Sequence, residues 1–171
     1  LDLKLKDIPD TVYKAIKTLN DIDFGYITIH GQGGRSMLAK AKKAASEIKS
    51  KPKIMMVTIL TALNDDDLKE MGNNNTVIQQ VEKLANLAKE LEVGVVCSGH
   101  EAKIVRKIIG PKLSIFTPGI RLGNDNKDDQ KRICTPSESI KNGSNKIIMG
   151  RSIIHGDIEK NLDKVSDSLR D

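Results

Sequence analysis

Apolar residues follow two alternating patterns along the chain: short continuous or alternating runs, and longer stretches with helical spacing. The short runs predict strands at 1–4, 26–30, 54–60, 93–97, 113–116 and 146–149. The longer stretches predict helices at 11–19, 37–48, 77–91, 101–109 and 158–169, and a further helix that begins at the capping-box sequence Thr135-Pro136-Ser137-Glu138. Strict alternation of strands and helices predicts a parallel sheet covered by helices.

Polar residues and glycines follow most of the predicted strands, at Asp2 and Lys4, His30-Gly31, Thr61, Ser98-Gly99, Thr117-Pro118-Gly119 and Gly150-Arg151. A barrel takes its site from the carboxyl ends of most strands, whereas an open doubly wound sheet uses one crevice. The pattern therefore favours an α/β fold of the (β/α)₈ TIM-barrel type. Such a barrel has eight units and roughly 250 residues, so we expect residues 1–171 to form one barrel domain with about six units present and the N-terminal portion lacking.

Charge and composition narrow the functional classes. The chain has 28 Lys+Arg and 23 Asp+Glu, but the basic residues are interleaved with acidic ones, as on solvated helix faces, which argues against nucleic-acid binding. Aromatic residues make up only 2% of the chain and no apolar run approaches the ~20 residues that span a bilayer, so we expect no membrane association. Two cysteines favour a reducing, cytoplasmic compartment.

The densest chemical signal lies at residues 2–7. Side chains alternate along a strand, so Asp2 and Lys4 share one face, which is the barrel interior if the leucines at 1, 3 and 5 pack outward against helices. Asp7 adds a second carboxylate just past the strand end. Two carboxylates favour the protonated form of a lysine between them, and an ammonium group held in this way can protonate a developing carbanion.

A second signal is Gly150-Arg151, which follows the last predicted strand. Backbone N–H groups and a guanidinium fork suit a phosphate dianion, and barrel phosphate sites cluster after the last strands. The chain has three histidines and no Cys or His residues at metal-ligand spacing, so we expect no metal site.

The residues Asp2-Leu3-Lys4-Leu5-Lys6-Asp7-Ile8-Pro9-Asp10-Thr11 resemble the D-x-K-x-x-D-I-P-x-T signature of the orotidine 5′-phosphate decarboxylase family. Further matches follow in the family's order at 29–34, 57–61, 94–98, 117–121, 129–132 and 150–151. The resemblance implies a cofactor-free carboxy-lyase that converts orotidine 5′-monophosphate to uridine 5′-monophosphate and CO₂ in pyrimidine biosynthesis. It also implies a homodimer with shared active sites.

By this likeness Lys4 is the proton donor to C6 of the pyrimidine, and Asp2 lies beside the departing carboxylate. Asp7 and Thr11 are expected to reach into the site of the partner subunit. The substrate-binding residues implied by the resemblance are Thr61 for the pyrimidine, Gln130, Gly150 and Arg151 for the phosphate, and Arg121 on a loop that folds over the phosphate.

The chain departs from the family pattern at Lys6, where His is common, and at Asp10, where Asn is common. The family also has two further βα units before Leu1, so we expect the intact polypeptide to be longer. Two alternatives stay open. One is a metal-dependent sugar-phosphate lyase, since 3-keto-L-gulonate 6-phosphate decarboxylase and hexulose-phosphate synthase share D-x-K-x-x-D. The other is a truncated barrel that binds a phosphate or a partner chain without turnover.

Overall fold

Helices and parallel strands alternate in a computed structural model that describes residues 1–122 and 132–170. The strands are β1 (Tyr26–His30), β2 (Lys53–Val57), β3 (Gly94–Val96), β4 (Ile115–Thr117) and β5 (Lys146–Ile147). The helices are α1 (Pro9–Lys17), α2 (Gly34–Glu47), α3 (Asp65–Glu70), α4 (Val77–Leu91), α5 (Ala102–Ile109), α6 (Pro136–Lys141), α7 (Arg151–Ile154) and α8 (Ile158–Arg170). A short 3₁₀ turn, Gly31–Gly33, joins β1 to α2.

The strands lie in the sheet in chain order, β1-β2-β3-β4-β5, and every neighbouring pair is parallel. A doubly wound sheet reverses its strand order at a switch point, whereas a barrel does not. The order therefore confirms the predicted barrel topology. Among the described residues, no helix is long and apolar enough to cross a membrane.

The two faces of the sheet bury different clusters. Ile27 and Ile29 of β1 and Met56 of β2 belong to the larger cluster, which also contains apolar residues of α1, α2, α4 and α5. Met55 of β2 and Phe116 of β4 belong to a smaller cluster, with Val57 and Val96. Alternate residues of β2 thus pack against the helix layer and into the barrel interior, as strand geometry requires.

The sheet curls strongly, as expected for part of a closed barrel. The rings of Tyr26 in β1 and Phe116 in β4 meet edge to face, with centroids 4.9 Å apart, although these strands are not neighbours in the sheet. The ammonium group of Lys146 in β5 lies 6.0 Å from the centre of the Tyr26 ring. The first and last strands therefore approach each other across the interior.

The predicted strand at 1–4 is not formed, so the sheet has five strands among the described residues, where six were expected. Leu5 makes an isolated parallel bridge to Ile29, and Lys4 adopts a φ of 49°, outside the extended region. Its N–H therefore bonds to the side chain of Thr28 instead of continuing a ladder. Leu1 and Leu3 are 41% and 46% exposed, so the expected outward packing of these leucines against helices is not seen among the described residues.

Two short helices were not predicted from the sequence. In α3, Leu68 is the buried residue, and the helix is fixed by a reciprocal capping box between Asn64 and Asp67. The second, α7, is four residues long and begins directly after Gly150. Both are too short to show an amphipathic period, which explains why the hydrophobic pattern missed them.

Candidate functional site

A cavity of about 320 Å³ opens at the carboxyl ends of the strands. Five of the residues that the sequence analysis assigned to the site line it: Lys4, Thr61, Arg121, Gly150 and Arg151. They come from the segment before α1 and from the connections after β2, β4 and β5. In a parallel barrel the carboxyl ends of all strands meet at one face, so these distant positions converge on one site.

At one side of the cavity, Lys4 and Asp2 form an ion pair in which Lys4 Nζ lies 2.6 Å from Asp2 Oδ2. Thr28 joins both residues, because its hydroxyl donates to Asp2 Oδ1 at 2.8 Å and accepts from the Lys4 backbone N–H at 2.9 Å. Partial burial raises the pKa of Asp2, but the hydrogen bonds from Lys4 and Thr28 and the lysine charge outweigh it and hold the pKa below its ordinary value. Asp2 therefore stays ionised beside the ammonium group at neutral pH.

His30 ends β1 close to this pair. Burial, together with the charges of Lys6 and Lys4, lowers the pKa of His30, so the imidazole is neutral at pH 7. Across residues 1–122 and 132–170, no group of three or more His, Cys, Asp or Glu side chains is arranged to hold a metal ion.

Among the described residues that were predicted for the site, Asp2, Asp7 and Thr11 do not line this cavity. Asp7 lies beyond Lys4, exposed, and its Oδ1 accepts a hydrogen bond of 2.6 Å from the N–H of Ile8. Thr11 is exposed in the first turn of α1. Gln130 lies outside the residues that the structure describes.

Arg121, another residue of the cavity lining, is buried, and its Nη1 donates to the carbonyl of Ile120 at 3.0 Å. The backbone here is pinned to a second segment, since Arg121 N donates to the carbonyl of Cys134 and Cys134 N donates to the carbonyl of Gly119. Arg151, the first residue of α7, lines the cavity beside Gly150. Two arginines thus line the same cavity as Lys4, and this set of basic residues suits an anionic ligand.

The orotidine 5′-phosphate decarboxylase / HUMPS family model matches residues 1–161 of this chain. The chain belongs to this family. Two curated relatives, both named orotidine 5′-phosphate decarboxylase, are 39% identical over 158 residues (Saccharophagus degradans) and 41% identical over 154 residues (Buchnera aphidicola). These matches cover 92% and 90% of this chain but 66% and 65% of the relatives, so the chain spans about two thirds of their length.

A solved structure gives the same result for the fold. The crystal structure of orotidine 5′-phosphate decarboxylase from Lactobacillus acidophilus superposes with a TM-score of 0.82 at 32% identity. The superposition covers 100% of this chain and 75% of that chain. The five-stranded sheet is therefore part of the (β/α)₈ barrel of the decarboxylase / HUMPS family.

The sequence analysis missed a buried ion pair beneath the site of this family member. Arg132 pairs with Glu101, and their side chains are 15% and 1% exposed. Arg132 Nη2 also donates to the carbonyls of Ile59 and Leu60, at 3.1 and 2.8 Å, while Glu101 Oε2 accepts from the N–H of Ser98 at 3.0 Å. Burial lowers the pKa of the Arg132 guanidinium. One pair thus ties together the segments that follow β2, β3 and β4.

No feature of the sequence indicated that these two residues form a buried ion pair. Arg132 closes the Asp129-Gln130-Lys131-Arg132 stretch that resembles the decarboxylase pattern, and Glu101 opens the helix after β3. A charged residue beside an apolar strand end is usually solvated, so only the structure reveals its burial. Thr28 was missed for a similar reason, because a threonine inside the apolar run at 26–30 is typical of an ordinary strand residue.

One cysteine, Cys97, lies on the cavity wall. Cys97 is a free cysteine and is fully buried. Burial raises the pKa of its thiol to about 12, so the thiolate is scarce at neutral pH. Cys97 therefore lacks the activation that a nucleophilic cysteine needs.

Proposed function

We propose that the complete protein decarboxylates orotidine 5′-monophosphate to uridine 5′-monophosphate and CO₂ in pyrimidine biosynthesis, without a metal or organic cofactor. The observation that carries this proposal is the Lys4 ammonium group, paired with Asp2 at 2.6 Å, in a cavity that also holds Thr61 and Arg151. The names of the relatives and the order of the matching motifs support the same reaction.

In this reaction the bond between C6 and the carboxylate carbon breaks, its electron pair stays on C6, and CO₂ leaves. Lys4 donates a proton to C6 and so completes the product. Asp2 lies beside the departing carboxylate, where its charge opposes the anionic ground state more than a transition state that is losing CO₂. Because Asp2 stays ionised, it also keeps Lys4 paired and directed towards the reacting carbon.

The rest of the cavity has the chemistry to hold the nucleotide. We assign the phosphate to Arg151 and the Gly150 backbone, with Arg121 and Gln130 closing on it, and the pyrimidine to Thr61. Charge-assisted hydrogen bonds from a guanidinium group suit a phosphate dianion. Binding energy from the phosphate, which does not react, can be used to order the site around the base.

We also propose that the protein is a homodimer in which Asp7 and Thr11 serve the partner's site. Both residues are exposed near the start of α1, and neither lines the cavity of its own chain. A groove of about 580 Å³ lies beside them, lined by residues of α1 and α2, and Ile8 at its edge is 68% exposed. We assign this groove to the surface that meets the partner subunit.

A further part of the proposal concerns the domain. Among the described residues, β5 pairs with β4, and the segment at 1–5 pairs with β1, so each has a second side without a strand. Exposed leucines at positions 1 and 3 and exposed Ile148 lie along these two edges. We propose that residues 1–171 form a single barrel domain that two further βα units, preceding Leu1 in the complete polypeptide, close between these edges. Two buried free cysteines support a cytoplasmic location.

The test measures the loss of orotidine 5′-monophosphate absorbance with the complete purified polypeptide, with Lys4→Ala and Lys53→Ala compared in parallel. Lys53 is an exposed lysine at the other end of the sheet, so its variant controls for the loss of one positive charge. We expect Lys4→Ala to lower kcat by about 10²-fold to 10⁴-fold or more, the range for loss of a general acid, and Lys53→Ala to leave kcat unchanged.

Three outcomes would contradict parts of the proposal. Activity lost in EDTA and restored by a divalent cation would indicate the metal-dependent sugar-phosphate lyases. A folded wild type that binds uridine 5′-monophosphate without any turnover would indicate a non-catalytic barrel. A monomer in analytical ultracentrifugation at the assay concentration would exclude the shared sites.

A further inference from the structure

We propose that Thr28 is a positioning residue whose hydroxyl fixes Asp2 and Lys4 relative to each other. The inference rests on the proposed function, in which Lys4 protonates the substrate. Thr28 lies in the middle of β1 and is 7% exposed, so its hydroxyl is fixed by the sheet. Asp2 and Lys4, by contrast, lie on an irregular segment whose side chains are largely accessible.

The hydrogen bonds around Thr28 form a closed ring. The Lys4 backbone N–H can only donate and an ionised carboxylate can only accept, so the single hydroxyl proton of Thr28 goes to Asp2 Oδ1 and its lone pair receives the Lys4 N–H. The Lys4 ammonium group closes the ring at Asp2 Oδ2, 2.6 Å away. One buried oxygen therefore contacts the backbone of the proton donor and the carboxylate that directs it.

The backbone around Lys4 explains why such an anchor is needed. Leu1 and Leu5 bond to the backbone of Thr28, through Thr28 N to the Leu1 carbonyl and Leu5 N to the Thr28 carbonyl, both at 3.2 Å. Between them Lys4 has a φ of 49°, a left-handed conformation that is unfavourable for a residue other than glycine. The threonine hydroxyl accepts the N–H that this conformation turns away from the ladder.

The ion pair alone would hold its geometry poorly. The Lys4 and Asp2 side chains are 42% and 57% exposed, and solvated pairs of this kind are weak and mobile. A hydrogen bond from a buried, strand-bound hydroxyl restricts the carboxylate orientation and hence the direction of the ammonium group. A shift of about 1 Å in a reacting group can cost about 10²-fold in rate.

The same hydroxyl affects the titration of Asp2. The charged or titratable groups around the carboxylate are Lys4 and, near the lysines, Lys6 and His30. Burial raises the pKa of Asp2, and the hydrogen bonds from Lys4 and then Thr28 lower it. Loss of the Thr28 hydroxyl therefore raises the pKa of Asp2 and moves the acid limb of a pH profile to higher pH.

The experiment compares Thr28→Val, Thr28→Ser and Thr58→Val in the complete polypeptide. Valine keeps the shape and removes the hydroxyl, and serine keeps the hydroxyl. Thr58 is a matched control, since it is buried just after β2 and its hydroxyl donates to the carbonyl of Val96 at 3.0 Å. We expect Thr28→Val to lower kcat by about 10-fold to 100-fold with little change in KM, and to shift the acid limb of kcat upward. Thr28→Ser should stay within a few-fold of wild type.

Unchanged kcat and an unchanged acid limb in Thr28→Val would overturn the proposal, and so would equal losses in Thr28→Ser and Thr28→Val. Equal effects of Thr58→Val would show a general packing defect instead. If wild type fails to turn over orotidine 5′-monophosphate, the proposed function fails, but the positioning role is still tested by NMR titration of the Asp2 carboxyl carbon. A pKa that rises in Thr28→Val and not in Thr28→Ser supports it, and equal pKa values refute it.

Discussion

The two ends of the sheet each carry a cavity with positive charge, and they differ in how that charge is held. The cavity at the amino ends of the strands measures about 360 Å³, against about 320 Å³ at the carboxyl ends. Its lysines, at positions 42, 51, 53 and 112, are all exposed, and Lys42 is already paired with Glu92. At the carboxyl end Thr61 and Arg121 are buried. Volume and charge alone therefore do not distinguish the candidate site from the other cavity. What distinguishes it is the set of polar groups that are fixed at the ends of several strands.

Each end also has one bridging arginine. Arg106 of α5 donates to the carbonyls of Gly110 and Leu113 at 2.6 and 2.7 Å, and to that of Gly143 at 2.8 Å. These acceptors are neutral and precede β4 and β5, so Arg106 fastens the amino ends of the strands. Arg132 instead pairs with a buried carboxylate beneath the candidate site. Among the described residues, a buried pair of opposite charges thus holds the loops at the carboxyl end, whereas Arg106 at the amino end bonds to neutral carbonyls.

The largest expected effect is a difference in stability between variants of these two arginines. Arg132→Met leaves the Glu101 carboxylate buried without its partner, which costs about 3–5 kcal/mol of stability for a broken buried pair. Arg106→Met removes hydrogen bonds to neutral carbonyls, at about 1–3 kcal/mol. Urea denaturation of both variants measures the free energy of unfolding.

A second substitution identifies the cause of the larger loss. Glu101→Gln in the Arg132→Met background removes the stranded charge, so we expect it to recover part of the stability. If the two single arginine variants lose equal stability, or if Glu101→Gln recovers nothing, the contrast in buried charge between the two ends is wrong.

The next largest expected effect is a difference in ligand affinity between variants at the two cavities. Arg151→Ala removes a guanidinium group from the wall of the carboxyl-end cavity, and we expect the dissociation constant of uridine 5′-monophosphate to rise about 10-fold to 100-fold, equivalent to roughly 1.5–3 kcal/mol for hydrogen bonds to a charged group. Lys112→Ala removes the same charge from the amino-end cavity and should leave the affinity unchanged. Isothermal titration calorimetry measures both. Equal losses would indicate a general effect of net charge.

Much of the fold was predictable from the sequence because it depends on repeated patterns. The strand at 26–30 was predicted with its observed bounds, and the alternation of elements gave the parallel sheet. The prediction of a strand at 1–4 was wrong. The alternating leucines have the pattern of a strand, but the conformation of Lys4 depends on a contact with Thr28, which is distant in sequence. Helix α3 was missed because its sequence signal is a capping box and not a periodic pattern of apolar residues.

The candidate site was predicted only in part, for a related reason. Lys4, Thr61 and Arg151 were singled out by motif, and the barrel topology brings them to one cavity. The residues that hold the site were missed, because Thr28 and Glu101 act through burial and through partners far away in sequence. A motif identifies chemical groups, whereas the groups that position them are visible only when the segments are packed together.

The smallest expected effect concerns an exposed ion pair at each end. Asp2 pairs with Lys4 at the carboxyl end, and Asp21 pairs with Lys49 at the amino end, at 2.6 and 2.8 Å. The pKa of Asp2 lies below its ordinary value of 3.8 in the folded state, because hydrogen bonds from Lys4 and Thr28 and the lysine charge outweigh burial. Its contribution to stability is therefore present above that ordinary pKa and is lost as pH falls through the lower folded value.

We expect Asp2→Asn to destabilise the protein by at most about 1 kcal/mol at pH 7, since both side chains are largely exposed. The difference from wild type should shrink towards zero when urea denaturation is repeated in steps from pH 5 downward, as the wild-type carboxylate becomes protonated. Asp21→Asn should change stability less than Asp2→Asn at pH 7, because no buried hydroxyl holds the Asp21 carboxylate among the described contacts. A larger effect at Asp21, or a difference for Asp2→Asn that grows on acidification, would show that the ring around Thr28 adds nothing to an ordinary surface pair.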